Sequence, residues 1–485
     1  MKAISVLGTS SNAGKSWVST ALCAWLRRQG VKVAPFKAQN MANNAFATWD
    51  GGEIGTAQAV QAEACGLQPQ VEMNPILLKP NGPDGSQIVR LGKAGETIAA
   101  RNYYQSIEAS WEIVRQTLDG WRDRCEALVM EGAGSPVELN LMQRDIVNLR
   151  PIEYVGGKWI LTANIEFGGV FAQTIGTWQL LPKQMQARGL GFLVNRFRGD
   201  LSLFDEAGEA FEKRLALPYL GVMPFDGSLR IDDEDSLNAV SERPKSGSPY
   251  IAWIKYPRVS NSHDIGPWKE DEGIDAVWTD EKDDLSDARA IVLPGSKNTL
   301  EDLRWLKATG LFAAIRERAA KGLPVVGICG GFQMLGEALL DPVWGEEESG
   351  LGLLMLRTVF QTEKRVERRI ARFANEEWET YEIHTGMTIP SRDSVDTEPL
   401  IKTKPLAGGS FEPEGIRCGS VWGSYQHGLF DSPAMRERLV AELAGVEAGI
   451  CQRNWRERRL GVYDAMADAL ERHIDLRPIQ RYLGL

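Results

Sequence analysis

The chain has 485 residues, of which 43% are hydrophobic and 25% charged, and a formal net charge of −10. That length exceeds what one hydrophobic core supports, and the composition is that of a folded chain, not a disordered or collagen-like one. The acidic balance argues against a nucleic-acid surface, which draws on clustered Lys and Arg, so an anionic substrate must meet a locally basic pocket.

In chain order, Ala3 to Leu7 form an apolar run that ends in glycine, and apolar residues then recur at Val18, Leu22 and Leu26. This predicts strand, turn, helix. Further buried strands are predicted at Val31 to Phe36, Ala127 to Met130, Trp159 to Thr162, Phe192 to Val194 and Tyr219 to Val222, with helical stretches between several of them. Such alternation points to a parallel sheet covered on both faces, so residues 1–235 read as one α/β domain. Residues 236–249, rich in Ser, Pro and Gly, read as a linker. A second series follows over residues 250–440, with strands near Ile251 to Ile254, Ala290 to Leu293 and Pro324 to Ile328. Between the last two, Thr299, with Asp302 three residues on, signals a helix start. Residues 441–485 are predicted to be a helical extension.

The six cysteines lie far apart, with no C-x-x-C pair and no histidine at metal-ligand spacing, so no tightly bound protein metal is expected. The first residues are too short an apolar run for a signal peptide, and nothing approaches the roughly 18 apolar residues of a membrane span. The expectation is a cytoplasmic protein without membrane or nucleic-acid partners. A homo-oligomer is left open.

The segment GTSSNAGKS, set between a strand and a helix, is where backbone N–H groups and a helix N-terminus cradle phosphate. Gly8 and Gly14 permit tight turns, Lys15 reaches terminal phosphates, and Ser16 ligates magnesium carried by ATP. Thr9 and Asn12 complete the loop. One residue more than usual separates the two glycines, so the form is deviant. Glu131, at a strand's C-terminal end in EGAGSP, is the candidate second magnesium ligand. Lys37, in PFKAQNMANN after another strand, is a candidate for stabilising charge on a transferring phosphoryl group.

In LPVVGICGGFQML, Cys329 follows an apolar strand and precedes a helical pattern, flanked by Gly327, Gly330 and Gly331. This is the shape of a nucleophile elbow, and the N-terminus of the following helix favours thiolate over thiol. Backbone N–H groups of Gly330 and of Gly295, in the PGSKN turn, are candidates for stabilising a tetrahedral oxyanion. Of four histidines, at 263, 384, 427 and 473, His427 in GSYQHGLF is the best placed as the base; His384 in YEIHTG reads as structural.

These motifs, together with GGEIGTAQAVQAEA, LLKPNGPDGSQIV, MEGAGSP, FGGVFAQTIGT and LPGSKNTLEDLRWL, run in one order along the whole chain. In that order they resemble the cobyric acid synthases, the glutamine-dependent enzymes of cobalamin biosynthesis. The resemblance implies an N-terminal ATP-binding amidoligase domain similar to dethiobiotin synthetase and a C-terminal triad-type glutamine amidotransferase domain. It implies a corrinoid substrate, adenosylcobyrinic acid a,c-diamide, amidated at its b, d, e and g carboxylates with ATP and glutamine. It also implies that Cys329 forms a glutamyl thioester, that His427 is its acid and base partner, and that Gln333 shapes the glutamine site.

Two departures stand out. The wider glutaminase class carries Glu two positions beyond the histidine; here that position is Leu429, which implies a Cys-His dyad or an orienting group from elsewhere. Where the family usually has Asp-Ile-Asp-Arg, this chain has Asn164, Ile165, Glu166 and Phe167, which puts a charge-based role there in doubt. Lys79, Arg90 and Arg144 are candidate carboxylate contacts, each reading better as solvated surface. A related ligase acting on cobyrinic acid or a cell-wall precursor, and a P-loop partitioning-type ATPase, stay open as alternatives.

Overall fold

The computed structural model describes residues 1–81, 85–231, 247–391 and 397–485. The segment 236–249, read as a linker, therefore lies mostly outside the described residues. The chain divides into two compact units: Met1–Met41 with Ile54–Asp232 and Arg459–Leu485, and Ala42–Glu53 with Asp233–Arg458.

The first unit is built on a six-stranded parallel sheet. Its order is Tyr219–Pro224, Gly189–Phe197, Lys158–Asn164, Lys2–Gly8, Ala127–Glu131 and Val33–Phe36. The central strands are apolar on both faces because helices cover both; Val6, Leu7, Leu128, Val129 and Leu161 have no exposed surface. The strand order reverses direction beside Lys2–Gly8, and in such sheets ligands bind at the C-terminal strand ends at that point. The helix Lys15–Arg28 packs Val18, Leu22 and Leu26 inward as their spacing predicts. Within the C-terminal stretch read as a helical extension over 441–485, the helices are Trp455–His473 and Arg477–Leu483, while 441–454 forms turns and belongs to the second unit. Tyr463, Met466, Leu470 and Ile479 share one core with Val18, Leu22 and Trp25. A four-stranded sheet, Gln39–Met41, Ile76–Pro80, Ser86–Arg90 and Lys93–Ile98, adjoins this body. Lys79 lies on it and is buried, contrary to its reading as solvated surface, whereas Arg144 is exposed.

The second unit has its own sheet, in the order Asp275–Thr279, Tyr250–Ile254, Ala290–Leu293, Val325–Ile328, Val421–Ser424 and Ile416–Cys418. All neighbours are parallel except the last pair. The helix Thr299–Thr309 begins one residue earlier than Thr299 as cap would require. Asn298 is the N-cap, its side chain accepting from Glu301 N. Beside this sheet, the long strands Leu356–Phe373 and Glu376–Pro390 pair antiparallel. Their alternation is blurred by charged residues that pair with one another, such as Arg372 with Glu377, which hides them from a reading by periodicity.

Candidate active sites

In the first unit, the predicted phosphate loop stands at the C-terminal end of Lys2–Gly8. Gly14 caps the helix Lys15–Arg28 in the left-handed region at φ 93°, and the first helical turn carries no acidic residue to neutralise its N-terminus. Asn12 is also left-handed, at φ 58°. Side chains from neighbouring strands hold the turn: Asn164 Nδ2 donates to Asn12 O, and Thr162 Oγ1 and Asn195 Nδ2 both donate to Ala13 O, each at 3.1 Å. Residue 164 thus serves the loop as a neutral donor, while Glu166 binds Arg196 and Arg198. Asn195 carries no motif and is not apparent from the sequence.

Lys15 folds back over Gly8, donating to Ser10 O and Gly134 O at 2.9 and 3.1 Å. Ser16 Oγ lies 3.0 Å from Glu131 Oε1, which Lys37 Nζ also meets at 2.8 Å. Gln61 Nε2 donates to the other carboxylate oxygen. Ser16 and Lys37 therefore converge on Glu131, with Gln61 as an addition supplied by GGEIGTAQAVQAEA, while Lys15 lies over the loop itself. Thr9 is placed differently: its hydroxyl donates to Gln173 Oε1 at 3.3 Å. Ser16 and Glu131 present hard oxygens suited to magnesium arriving with nucleotide, which keeps several waters and phosphate oxygens of its own. Among the described residues no cluster of three or more His, Cys, Asp or Glu side chains stands where it could hold a metal.

In the second unit, Cys329 sits between Val325–Ile328 and Gly330–Leu335 with φ 52° and ψ −108°, a strained turn for a non-glycine residue. Its N–H donates to Ser424 O at 2.8 Å, fixing the elbow against the adjacent strand. The flanking glycines are steric necessities. A Cβ on Gly330 would stand 2.7 Å from Ser296 N, and one on Gly331 only 1.9 Å from Leu293 O. Gly295 and Ser296 thus run beside Cys329 and Gly330, and a Cβ on Gly295 would meet His427 Cε1 at 2.9 Å. Asp302 accepts from Ser296 Oγ at 2.6 Å and from Arg258 N, securing that strand. Burial pushes its carboxyl up to about 7 against the pull of Ser296 and Arg258.

His427 is fully buried, and its Nδ1 donates to Asp264 Oδ2 at 2.7 Å. Asp264 Oδ1 also accepts from Gly428 N at 2.8 Å. Asp264, from SNSHD in the turn Ser262–Glu270, is therefore the side chain that holds the His427 ring, where Leu429 offers no such group. Burial alone pulls the His427 imidazole down, but Asp264 and then Cys329 outweigh it and carry it up to about 10. Burial works against the Asp264 carboxylate too, and the imidazole overcomes it, leaving that carboxyl below its ordinary range. With Nδ1 engaged by Asp264, Nε2 has no hydrogen-bond partner among the described residues.

Gln333 Oε1 accepts from Thr299 Oγ1 at 2.9 Å, and its amide adjoins Gly386. The strand carrying YEIHTG passes over Cys329, Ile383 O lying 3.5 Å from its Sγ. On it, His384 stacks on Tyr425, centroids 3.7 Å apart, with Nδ1 at 2.8 Å from Gly386 O.

Residues 4–238 match the CobQ/CobB/MinD/ParA nucleotide binding domain, and residues 250–435 the CobB/CobQ-like glutamine amidotransferase domain. Fold and sites together define a glutamine amidotransferase of the CobB/CobQ kind, an enzyme in which a nucleotide-binding α/β domain and a glutaminase domain share one chain. Curated relatives make the assignment narrower. The chain is 42% identical to the cobyric acid synthase of Saccharopolyspora erythraea, over 100% of this chain and 95% of that one. It is 41% identical to that of Desulforudis audaxviator and 39% identical to that of Synechocystis, in each case over 100% of this chain and 99% of the other. The chain belongs to the cobyric acid synthase family. No helix among the described residues is long and apolar enough to cross a membrane.

Proposed function

We propose that the protein amidates the b, d, e and g carboxylates of adenosylcobyrinic acid a,c-diamide, using ATP and glutamine. The observation that carries this reading is the strained Cys329 elbow beside a buried His427–Asp264 pair, on the same chain as a phosphate loop with Lys15, Ser16, Lys37 and Glu131.

On the glutaminase side, the Cys329 sulfur attacks the side-chain amide carbon of glutamine. N–H groups of Gly330 and of the Gly295–Ser296 strand stabilise the tetrahedral oxyanion, and Gln333 helps to shape the pocket. His427 Nε2 gives its proton to the departing nitrogen, so ammonia leaves and a glutamyl thioester remains. Water, deprotonated by the same nitrogen, then cleaves the thioester to glutamate and regenerates the thiol. Asp264 keeps Nδ1 protonated and the ring oriented throughout.

On the synthetase side, a corrinoid carboxylate oxygen attacks the γ-phosphorus of ATP, giving an acyl phosphate and ADP. Ammonia attacks the acyl carbon and phosphate leaves, giving the amide. A free carboxylate is too poor an electrophile for ammonia. The loop with Thr9, Asn12 and Gly14 cradles the phosphates, Lys15 and Lys37 offset charge on the transferring group, and Ser16 with Glu131 would hold the magnesium that accompanies ATP. Cobalt belongs to the substrate.

The test is glutamine- and ATP-dependent mass gain on a panel of corrinoid acids and peptidoglycan precursors. Four amide additions on the a,c-diamide, with one glutamate released for each, are expected. Mass gain on a cell-wall acceptor or on cobyrinic acid alone would replace this reading with one of the related ligases, and nucleotide hydrolysis without any amidation would favour a partitioning-type ATPase.

A further inference from the structure

The second unit includes Ala42–Glu53, although the residues on either side, Met41 and Ile54, belong to the first. PFKAQNMANN therefore serves two ends: Lys37 meets Glu131, while Asn44 lies within the glutaminase unit. There Asn44 Nδ2 donates to Ser262 Oγ at 3.1 Å and its Oδ1 accepts from Ser262 N at 3.3 Å. Ala45 N donates to Asn261 Oδ1 at 2.9 Å. Asn261 is held left-handed at φ 57°, and its carbonyl accepts from Asp264 N. Three consecutive hydrogen bonds thus clamp the turn that aims Asp264 at His427.

The same segment reaches the imidazole from a second side. Tyr381 stacks on His427 with centroids 5.2 Å apart, and the two residues exchange backbone hydrogen bonds. The Tyr381 hydroxyl donates to Ala45 O at 3.2 Å and meets His263 Nε2 at 2.8 Å. The Phe46 ring packs on Tyr381 at 4.7 Å. Asn44, Ala45, Asn261, Asp264, Tyr381 and His427 are all buried, so these contacts are made in a low-dielectric setting where a misplaced polar group is costly.

We infer that Asn44, Ala45 and Phe46, acting through Tyr381 and the Asn261–Ser262 turn, are positioning residues for the His427–Asp264 pair, so that the N-terminal part of the chain completes the glutaminase. The inference rests on the reading of Cys329 and His427 as a glutaminase. It differs from ordinary packing in what it makes sensitive: the chemical step, and not glutamine binding, since none of these side chains belongs to the Gln333 wall.

The experiment uses full-length protein carrying Asn44→Ala, Tyr381→Phe or, as a control in the same segment, Trp49→Ala, whose side chain is exposed. Displacing an acid–base group by a fraction of its radius costs about 10- to 100-fold in rate. Asn44→Ala and Tyr381→Phe are expected to lower kcat for glutamine hydrolysis by that factor, with KM for glutamine and ammonia-driven amidation unchanged. Trp49→Ala is expected to match the wild type. Tyr381→Phe keeps the ring and its packing, so it decides the matter if Asn44→Ala does not fold. A wild-type kcat in Tyr381→Phe, or a loss confined to KM, overturns the inference while leaving the glutaminase reading intact. Absence of glutamate release by the wild type, or its persistence in Cys329→Ser, overturns both.

Discussion

His427 Nδ1 and Asp264 Oδ2 are 2.7 Å apart, with neither side chain open to solvent. The carboxylate comes from the turn Ser262–Glu270, far from the histidine in sequence. Asp264→Asn should release the ring's orientation and lower glutamine-dependent turnover by about 100- to 10,000-fold, while ammonia-driven amidation persists. Steady-state assays with each nitrogen source check this.

The same pair makes stability depend on pH. The His427 imidazole is raised from 6.5 to about 10, so the stability it contributes is complete below about 6.5 and is lost as pH rises towards 10. Asp264 is lowered from 3.8, so its contribution is present above that value and is lost only in stronger acid. Pulse proteolysis of the second unit should show declining stability from about pH 7 to 10 in the wild type. In Asp264→Asn the unit should be about 3 kcal/mol weaker at pH 6, because a buried charge has lost its partner, and the gap should narrow as pH rises.

Glu131 receives Ser16, Lys37 and Gln61. Glu131→Gln removes the charge that balances buried Lys37, and Ser16→Ala removes only a hydroxyl. Both should lower ATP-dependent amidation, by about 100-fold or more for Glu131→Gln, and both should leave glutamine hydrolysis running. Separate assays of ADP and glutamate release test the separation, with Ser16→Ala as the variant that leaves the fold least disturbed.

Gly331 approaches the neighbouring strand so closely that a methyl group would overlap Leu293 O. Gly331→Ala should destabilise the second unit by about 3 kcal/mol and displace Cys329 with it. Urea titration and the rate of Cys329 alkylation are the measurements.

Much of this was legible in the sequence. Strands such as Ala127–Glu131 and Val325–Ile328 are continuous apolar runs because both faces are covered, and their ends carry Glu131 and Cys329 where glycine-rich turns announce them. Thr299 illustrates the limit of local rules: Asn298 takes the cap, which leaves the threonine hydroxyl for Gln333. Asp264 and Asn195 were not legible, because neither lies in a glycine-rich or periodic context and each acts on a group remote in sequence. Asp264 offered one signal, its place beside His263, one of only four histidines. The attachment of Ala42–Glu53 to the second unit was hidden for the same reason: linear order says nothing about which core a segment joins.

Arg459–Leu485 completes the first unit, where Arg459 binds Glu63, Asp464 meets Arg27, and Met466 and Leu470 seal the helix Lys15–Arg28. During translation, an apolar flank of the helix Lys15–Arg28 therefore stays uncovered until residues 459–485 have been made, after the second unit. The first unit thus cannot close before the residues of the second have been made, which runs against the usual N-terminus-first order of domain folding.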